Sequence, residues 1–368
     1  MNAKRLEIAR LSHRFAFGPR PGEFAAALDA GVAATRQKFL TVPLSDAGAA
    51  QVAVPMITDL GPRPKPNTAE IIPFVTGMRN QTEQLTIWWL DRMAMSDHGL
   101  TEKMTWFWHG HWATSITKVD HPLAMFKQNQ TLRQYALSNF ADMSRAMVND
   151  AALQYWLDGQ TSTVKSPNEN LARELMELFV LGVNRYTEDD VKALARVLTG
   201  YQVTLNAGTV VVNPKRRDTS AVKLLGTTST FTAESASDYL VGKTDCAQFI
   251  AERLWYRFIS STEVMPNNIG AVNAFNNRNI AIAVASLAQD SAMSDSRYSM
   301  VKSPVEWFIS ACRALELTPS KLNTSAQLIN HLNKLGQIPF YPPNVGGWPA
   351  GEAWLSSASA QYRIACAA

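Results

Sequence analysis

Apolar residues recur at helical spacing along most of the chain. Leu85, Trp88, Trp89 and Met93 do so within MRNQTEQLTIWWLDRMAMS. Val191, Leu194, Ala195 and Leu198 do so again after Thr187-Glu-Asp-Asp190, an N-terminal cap, and that pattern closes at Gly200. Between these lies the clearest local grammar, a helix predicted from Ser166 to Leu181. Ser166-Pro167-Asn168-Glu169 reads as its capping box with Pro in the first helical position, and Gly182 reads as its stop. Ser303-Pro304-Val305-Glu306 repeats the start signal. Further helices are predicted as two elements within residues 1–45, joined at Gly18-Pro-Arg-Pro-Gly22, and over Thr101–Trp108, Thr131–Val148, 245–258, 269–290 and 303–316.

The period changes after Gly200. Tyr201–Leu205 and Thr209–Asn213 alternate and flank Asn-Ala-Gly, the one strong hairpin signal. Residues 46–73 hold five prolines and little periodicity, which predicts a Pro-rich surface connection. Phe340-Tyr-Pro-Pro-Asn-Val-Gly-Gly-Trp-Pro-Ala-Gly351 is too rich in Pro and Gly for regular structure. The expected fold is mostly α: a single multi-helix domain over residues 1–368 with a small inserted β-hairpin near residues 201–213.

Composition narrows the functional classes. A chain of 368 residues, 46% hydrophobic, is long enough for a substantial core. Ten Trp favour aromatic anchors in cores or clefts. The net charge of +4 comes without a Lys/Arg block interleaved with aromatics, so no nucleic-acid partner is expected. Cys246, Cys312 and Cys366 are far apart and lack CxxC spacing, and read as buried structural thiols. No apolar run reaches the ~20 residues of a membrane span. The N-terminus is charged and lacks the apolar core of a secretory signal. The chain as written is therefore expected in the cytoplasm, or in the periplasm or outside the cell if its start has been trimmed.

Two groups of residues carry candidate chemistry. On the central helix, Asn170, Arg173, Glu174 and Glu177 share the polar arc opposite Leu171, Leu175, Leu178 and Phe179. Carboxylates a turn apart suit a divalent cation or divided acid and base roles. Arg173 suits an anionic substrate, or pairs with Glu177 at i,i+4. The plain alternative is a solvated face with one salt bridge. The second group is Trp106-Phe-Trp-His109-Gly-His111-Trp112. If a helix ends near Gly110, both imidazoles converge and offer metal ligands; otherwise they are hydrogen-bonded core residues. Lys118 follows on a loop, and the loop bearing Asn344 and Trp348 suits a cleft wall. There is no GxSxG, P-loop or GxGxxG after a strand.

PNENLARELMELFVLGVNRYTEDDVKALARVLTGY (Pro167 to Tyr201) carries a family resemblance. It is supported by RFAFGPRPGE (Arg14 to Glu23), KMTWFWHGHWATS (Lys103 to Ser115), VKSPVEW (Val301 to Trp307) and PPNVGGWPAGEAWL (Pro342 to Leu355). On these motifs the chain resembles the bacterial family called domain of unknown function 1800, over nearly its whole length. The resemblance implies no defined activity. It implies that members are often exported, and suggests as partner a neighbouring protein with a sulfatase- or phosphatase-like fold. The chain departs from the family in having Arg217-Asp218 where a His-Asp pair precedes the Lys223 segment. It also has Asp158-Gly-Gln-Thr-Ser in place of an Asn-rich turn, and no export signal.

Two functional expectations follow. The first is a metal-assisted enzyme acting on a polar or anionic substrate, a small molecule or a polymer. Its cleft is lined by the central helix, the His-x-His segment and the Trp348 loop. Glu174, Glu177, Arg173 and Lys118 are the catalytic candidates, Asn170, Asn344 and Trp348 the substrate-binding ones, and His109 and His111 ligate a divalent metal. The second is a non-catalytic binding or assembly protein in which the same polar residues form a buried network.

Overall fold

The structure is a computed structural model that describes residues 3–266, 270–322 and 324–367. It is mostly helical. Three helices, α1 (Ala3–Arg14), α2 (Glu23–Ala30) and α3 (Val32–Leu40), occupy the N-terminal region where two were expected, because Gly31 at φ +87° breaks the second. A short α4 (Ala47–Ala50) follows, capped by Asp46, and no regular element intervenes before α5. The longest helix, α5 (Ile71–Met95), runs antiparallel in sequence pattern to nothing local; it buries Leu85, Trp88, Trp89 and Met93 as their spacing implies.

Helix α6 (Leu100–His111) continues three residues beyond the expected end at Trp108. Then come α7 (Ile116–Val119), α8 (Pro122–Gln134), α9 (Phe140–Val148) and α10 (Ala151–Trp156). The single helix expected over Thr131–Val148 is thus divided. Asn139 caps α9 by accepting from Ala141 N at 2.8 Å and so opens a new helix inside that span.

The central helix begins later than its sequence signal suggests. Ser166 is held in a tight reciprocal bridge with Thr163, so Asn168 becomes the cap and accepts from Asn170 N at 2.9 Å. Helix α11 (Glu169–Glu174) then widens into a π-helical turn, Leu175–Val180, closed by Leu181 N donating to Met176 O at 2.8 Å. Gly182, at φ +95°, ends it as expected. Thr187 and Asp190 form the reciprocal cap of α12 (Glu188–Val197).

The hairpin β1 (Tyr201–Thr204) and β2 (Thr209–Val212) pairs Tyr201 with Val212 and Thr204 with Thr209. A second hairpin, β3 (Val222–Leu224) and β4 (Thr227–Ser229), was not expected. Its two-residue turn puts Leu225 at φ +43° and Gly226 at φ +83°, and Asp190 holds it by accepting from Leu225 N at 2.6 Å. A bulky Leu where such turns favour Asn hid this signal.

Helices α13 (Ala233–Val241), α14 (Thr244–Phe258), α15 (Gly270–Ala274), α16 (Ile280–Gln289), α17 (Pro304–Ala314), α18 (Ser325–Lys334) and α19 (Ser357–Ala367) complete the chain. The helix expected over 269–290 is split at Arg278, which adopts φ +58°; Ile269 lies outside the described residues. Ser303 N donates to Glu306 at 3.1 Å, so the second Ser-Pro-x-Glu signal does start α17.

Apolar side chains form two contiguous clusters. One gathers α6, α9, the central helix, α12 and α14–α16; the other gathers α5, α8, α17, α18 and the loop carrying Phe340, Trp348 and Trp354. Helix α6 serves both. Cys246 and Cys312 are buried free thiols, while the Cys366 side chain lies outside the described residues. Among the described residues, no helix is long and apolar enough to cross a membrane.

One buried ionic cluster supports α6. Glu102 is 2% exposed and accepts from Arg92 Nε at 2.9 Å, Arg133 Nε at 2.8 Å, Arg133 Nη2 at 2.9 Å and Trp89 Nε1 at 3.0 Å. Both guanidiniums also lie over the Trp88 ring, 5.5 and 5.2 Å from its centre. Burial pushes the Glu102 carboxyl up, but Arg133 and Arg92 together leave it below its usual range.

Candidate functional site

The Pro/Gly-rich C-terminal loop is fastened to α6 at successive points. Phe340 adopts φ +71°, a costly conformation for an aromatic residue. It is held there at both ends of its backbone: its N–H donates to His109 Nε2 at 3.0 Å and its carbonyl accepts from Ile116 N at 2.9 Å. Further on, Gly347 at φ +80° passes so close to α6 that a Cβ there would lie 2.2 Å from Gly110 O. Trp348 stacks on Trp106, with ring centres 5.1 Å apart and planes at 27°. These contacts explain why the loop needs glycine and why Gly110 separates the two histidines.

The fastened loop forms one wall of an open groove of about 520 Å³, and α14 forms the other. Asn344, Gly347 and Trp348 contribute from the loop; Arg253, Tyr256 and Arg257 contribute from the helix. Arg253 and Arg257 are one turn apart, so their like charges share a face. Arg257 donates to the Trp348 carbonyl at 2.6 Å. Neither arginine has a carboxylate within 4 Å among the described residues, and the Arg253 Nε is buried with no acceptor. Burial first, then Arg257, draws the Arg253 guanidinium down to about 10. Burial also lowers Arg257, against the pull of Glu306. Two half-buried cations without a counter-charge are an unsatisfied arrangement that an anion would complete.

Behind Arg257 the surface folds inward to a second cavity of about 280 Å³, lined among others by His13, Lys103, Arg257, Lys302 and Glu306. Lys103, only 4% exposed, pairs with Glu306 across from α6 to α17. Arg10 and Arg14 also border this space, but their guanidiniums are occupied by backbone carbonyls. Arg10 donates to Ala292 O at 2.9 Å and Tyr298 O at 2.8 Å, and Arg14 donates to Phe258 O at 3.3 Å.

The two histidines do not converge. Because α6 runs through His111, residues two apart project to opposite sides. His109 packs among Trp89, Trp106, Phe340 and Trp348, and His111 among Phe107, Trp108, Trp112, Phe140, Phe179 and Phe249. Burial takes both down to about 3, with Arg253 adding to the effect at His111, so both rings are neutral. His109 spends its Nε2 lone pair on Phe340 N–H. The His111 Nε2–H donates to Phe179 O at 2.8 Å, leaving its Nδ1 buried without a partner. Among the described residues no three His, Cys, Asp or Glu side chains gather as a metal site requires.

The polar arc is half-exposed rather than buried, and its members look to different neighbours. Arg173 forms a bidentate pair with Glu188 of α12 at 2.6 and 2.8 Å and reaches back to Glu169 at 3.3 Å, not to Glu177. Glu177 instead accepts from the Tyr186 hydroxyl. Burial and the proximity of Glu177 raise the Glu174 carboxyl above its usual range. Asn170 donates to Leu157 O at 3.3 Å. Lys118 binds Trp156 O and Asp158, both at 2.7 Å, elsewhere on the surface. Of the sequence-predicted site residues, Asn344 and Trp348 border the groove. Asn344 also shapes it, accepting from Gly346 N at 2.9 Å.

Arg253, Arg257, Lys103, Lys302 and Glu306 were missed by sequence reasoning. A signal existed for the first two: like charges at i,i+4 in TDCAQFIAERLWYRF, with no acid four residues from either arginine.

Residues 10–368 match the model of the family described as Protein of unknown function (DUF1800). No curated protein and no solved structure matches the chain.

Proposed function

The chain belongs to the DUF1800 family over nearly its whole length, and from its cleft we propose that it binds an anionic ligand in the groove between α14 and the Asn344–Trp348 loop. The observation that carries this reading is the Arg253–Arg257 pair. Each arginine is half-buried beside the other, and the Arg253 Nε–H has no acceptor. A guanidinium fork suits carboxylate, sulfate or phosphate oxygens bidentately, and such charge-assisted bonds strengthen as water is excluded. Tyr256 and Trp348 give the same groove apolar surface for the rest of the ligand.

This reading assigns Asn344 and Trp348 to ligand binding. It assigns the central helix a fastening role, Arg173 joining α11 to α12 through Glu188. It favours binding over metal-assisted catalysis, because His109 and His111 face away from one another and the Glu174–Glu177 pair lies outside the groove.

Thermal and chemical unfolding with and without inorganic phosphate, sulfate and citrate tests the proposal. An anion present at a hundred times its Kd is expected to stabilise the fold by about 2.7 kcal/mol. The gain should vanish in an Arg253→Leu/Arg257→Leu variant and survive in Lys118→Ala. Equal stabilisation of wild type and the double variant by each anion would reject the groove as the site.

A further inference from the structure

The inner cavity contains an amine that neither the groove nor the fold uses. Lys302 stands in the segment ahead of α17, half-buried, and its Nζ donates to Ser310 Oγ at 3.0 Å. Ser310 Oγ in turn lies 3.4 Å from His13 Nδ1. Amine, hydroxyl and imidazole therefore form a continuous chain from α17 to α1. The chain is packed tightly enough that a Cβ on Gly18 would sit 2.8 Å from Ser310 Oγ and 2.9 Å from the His13 ring.

Cations surround this amine on nearly every side. Arg10 and Arg14 come from α1, Lys103 from α6 and Arg257 from α14, with Glu306 of α17 the one carboxylate bordering the cavity. Glu306 is already committed to Lys103. Leu6, Ala9, Met300 and Val301 supply an apolar lining. A space of about 280 Å³ with an apolar lining, an excess of positive charge and an unclaimed amine suits a small anion that carries an electrophilic carbon.

We propose that this cavity binds a small 2-oxo acid, whose carbonyl carbon the Lys302 amine attacks to form an imine. The Nζ lone pair forms the new C–N bond while the carbonyl π pair moves to oxygen. The proton leaving nitrogen passes through Ser310 Oγ to the neutral ring of His13. The same proton returns to the departing hydroxyl, so that the C–O bond breaks and water leaves. One amine and one carbonyl give one imine and one water, and nothing is oxidised or reduced. The ligand carboxylate faces Lys103 and Arg257. Supporting this geometry, burial and then Lys103 draw Lys302 down to about 8, and burial, Lys302 and Lys103 draw His13 down to about 4. The amine is thus available as a nucleophile near neutral pH, and the imidazole is free to accept a proton. This inference does not depend on anion binding in the outer groove.

The experiment is reductive trapping on the intact chain. The protein is incubated with pyruvate and cyanoborohydride at pH 7.5, and adducts are located by peptide mass mapping. A lysine held at about 8 carries on the order of 100-fold more free amine at that pH than one at the ordinary 10.5. Lys302 is accordingly expected to be the dominant adduct, and Lys302→Arg to abolish it while leaving other sites unchanged. Adducts spread over the lysines without preference for Lys302 would overturn the proposal. So would a Lys302 that reacts with an amine-directed acylating reagent but not with pyruvate. The wild-type map alone decides between these results, so a variant that fails to fold does not blunt the test.

Discussion

Arg92 and Arg133 come from different helices and meet at Glu102; Arg253 and Arg257 share one helix and meet at no carboxylate among the described residues. Both pairs lie beside tryptophans, Trp88 and Trp89 in the first case and Trp348 in the second. In the closed cluster every carboxylate oxygen is matched to donors on the protein. In the open one a donor is buried and unmatched. The first arrangement is complete and holds helices together. The second is incomplete, which is the property expected where a ligand supplies the missing charge.

The largest expected effect comes from breaking the closed cluster. Glu102→Gln leaves two guanidiniums facing a neutral group, and breaking a buried ionic pair in this way costs ~3–5 kcal/mol. Urea unfolding at neutral pH measures it, and a loss below ~1 kcal/mol would place Glu102 on a par with surface pairs. The opposite sign is expected in the groove. Arg253→Leu removes an unsatisfied buried donor and relieves repulsion with Arg257, so the unliganded protein gains up to ~1–2 kcal/mol. A loss of similar size would make Arg253 a structural partner and erase the contrast. Smallest of all is Arg173→Ala. Its side chain is 33% exposed and that of Glu188 65%, so the expected cost is under ~1 kcal/mol, measured by thermal unfolding.

Much of the scaffold was legible in the sequence because it is encoded locally. Thr187 with Asp190 and the Gly182 stop stand where their patterns put them, as does the first hairpin. The errors arose where neighbours outbid a local signal. Ser166 gave up its capping role to a bridge with Thr163, and α6 outran Gly110 because the Gly347 loop packs against it. The site was less legible still. Asn344 and Trp348 were visible as an irregular aromatic loop. Lys103 and Lys302, by contrast, share a cavity only because α1, α6 and α17 are folded together from opposite ends of the chain. No spacing rule reaches from residue 13 to residue 310.

The close approach of Gly347 to Gly110 bears on how such a groove can change over generations. A wall that admits no side chain cannot be resculpted by point substitution without lifting the loop off its helix. Variation in what the groove accepts must then accumulate on the opposite bank, at Phe249, Glu252, Arg253 and Tyr256 of α14, where side chains project freely into the opening. One bank is fixed by backbone geometry and the other is open to experiment. Attempts to retarget this protein should begin on the helix.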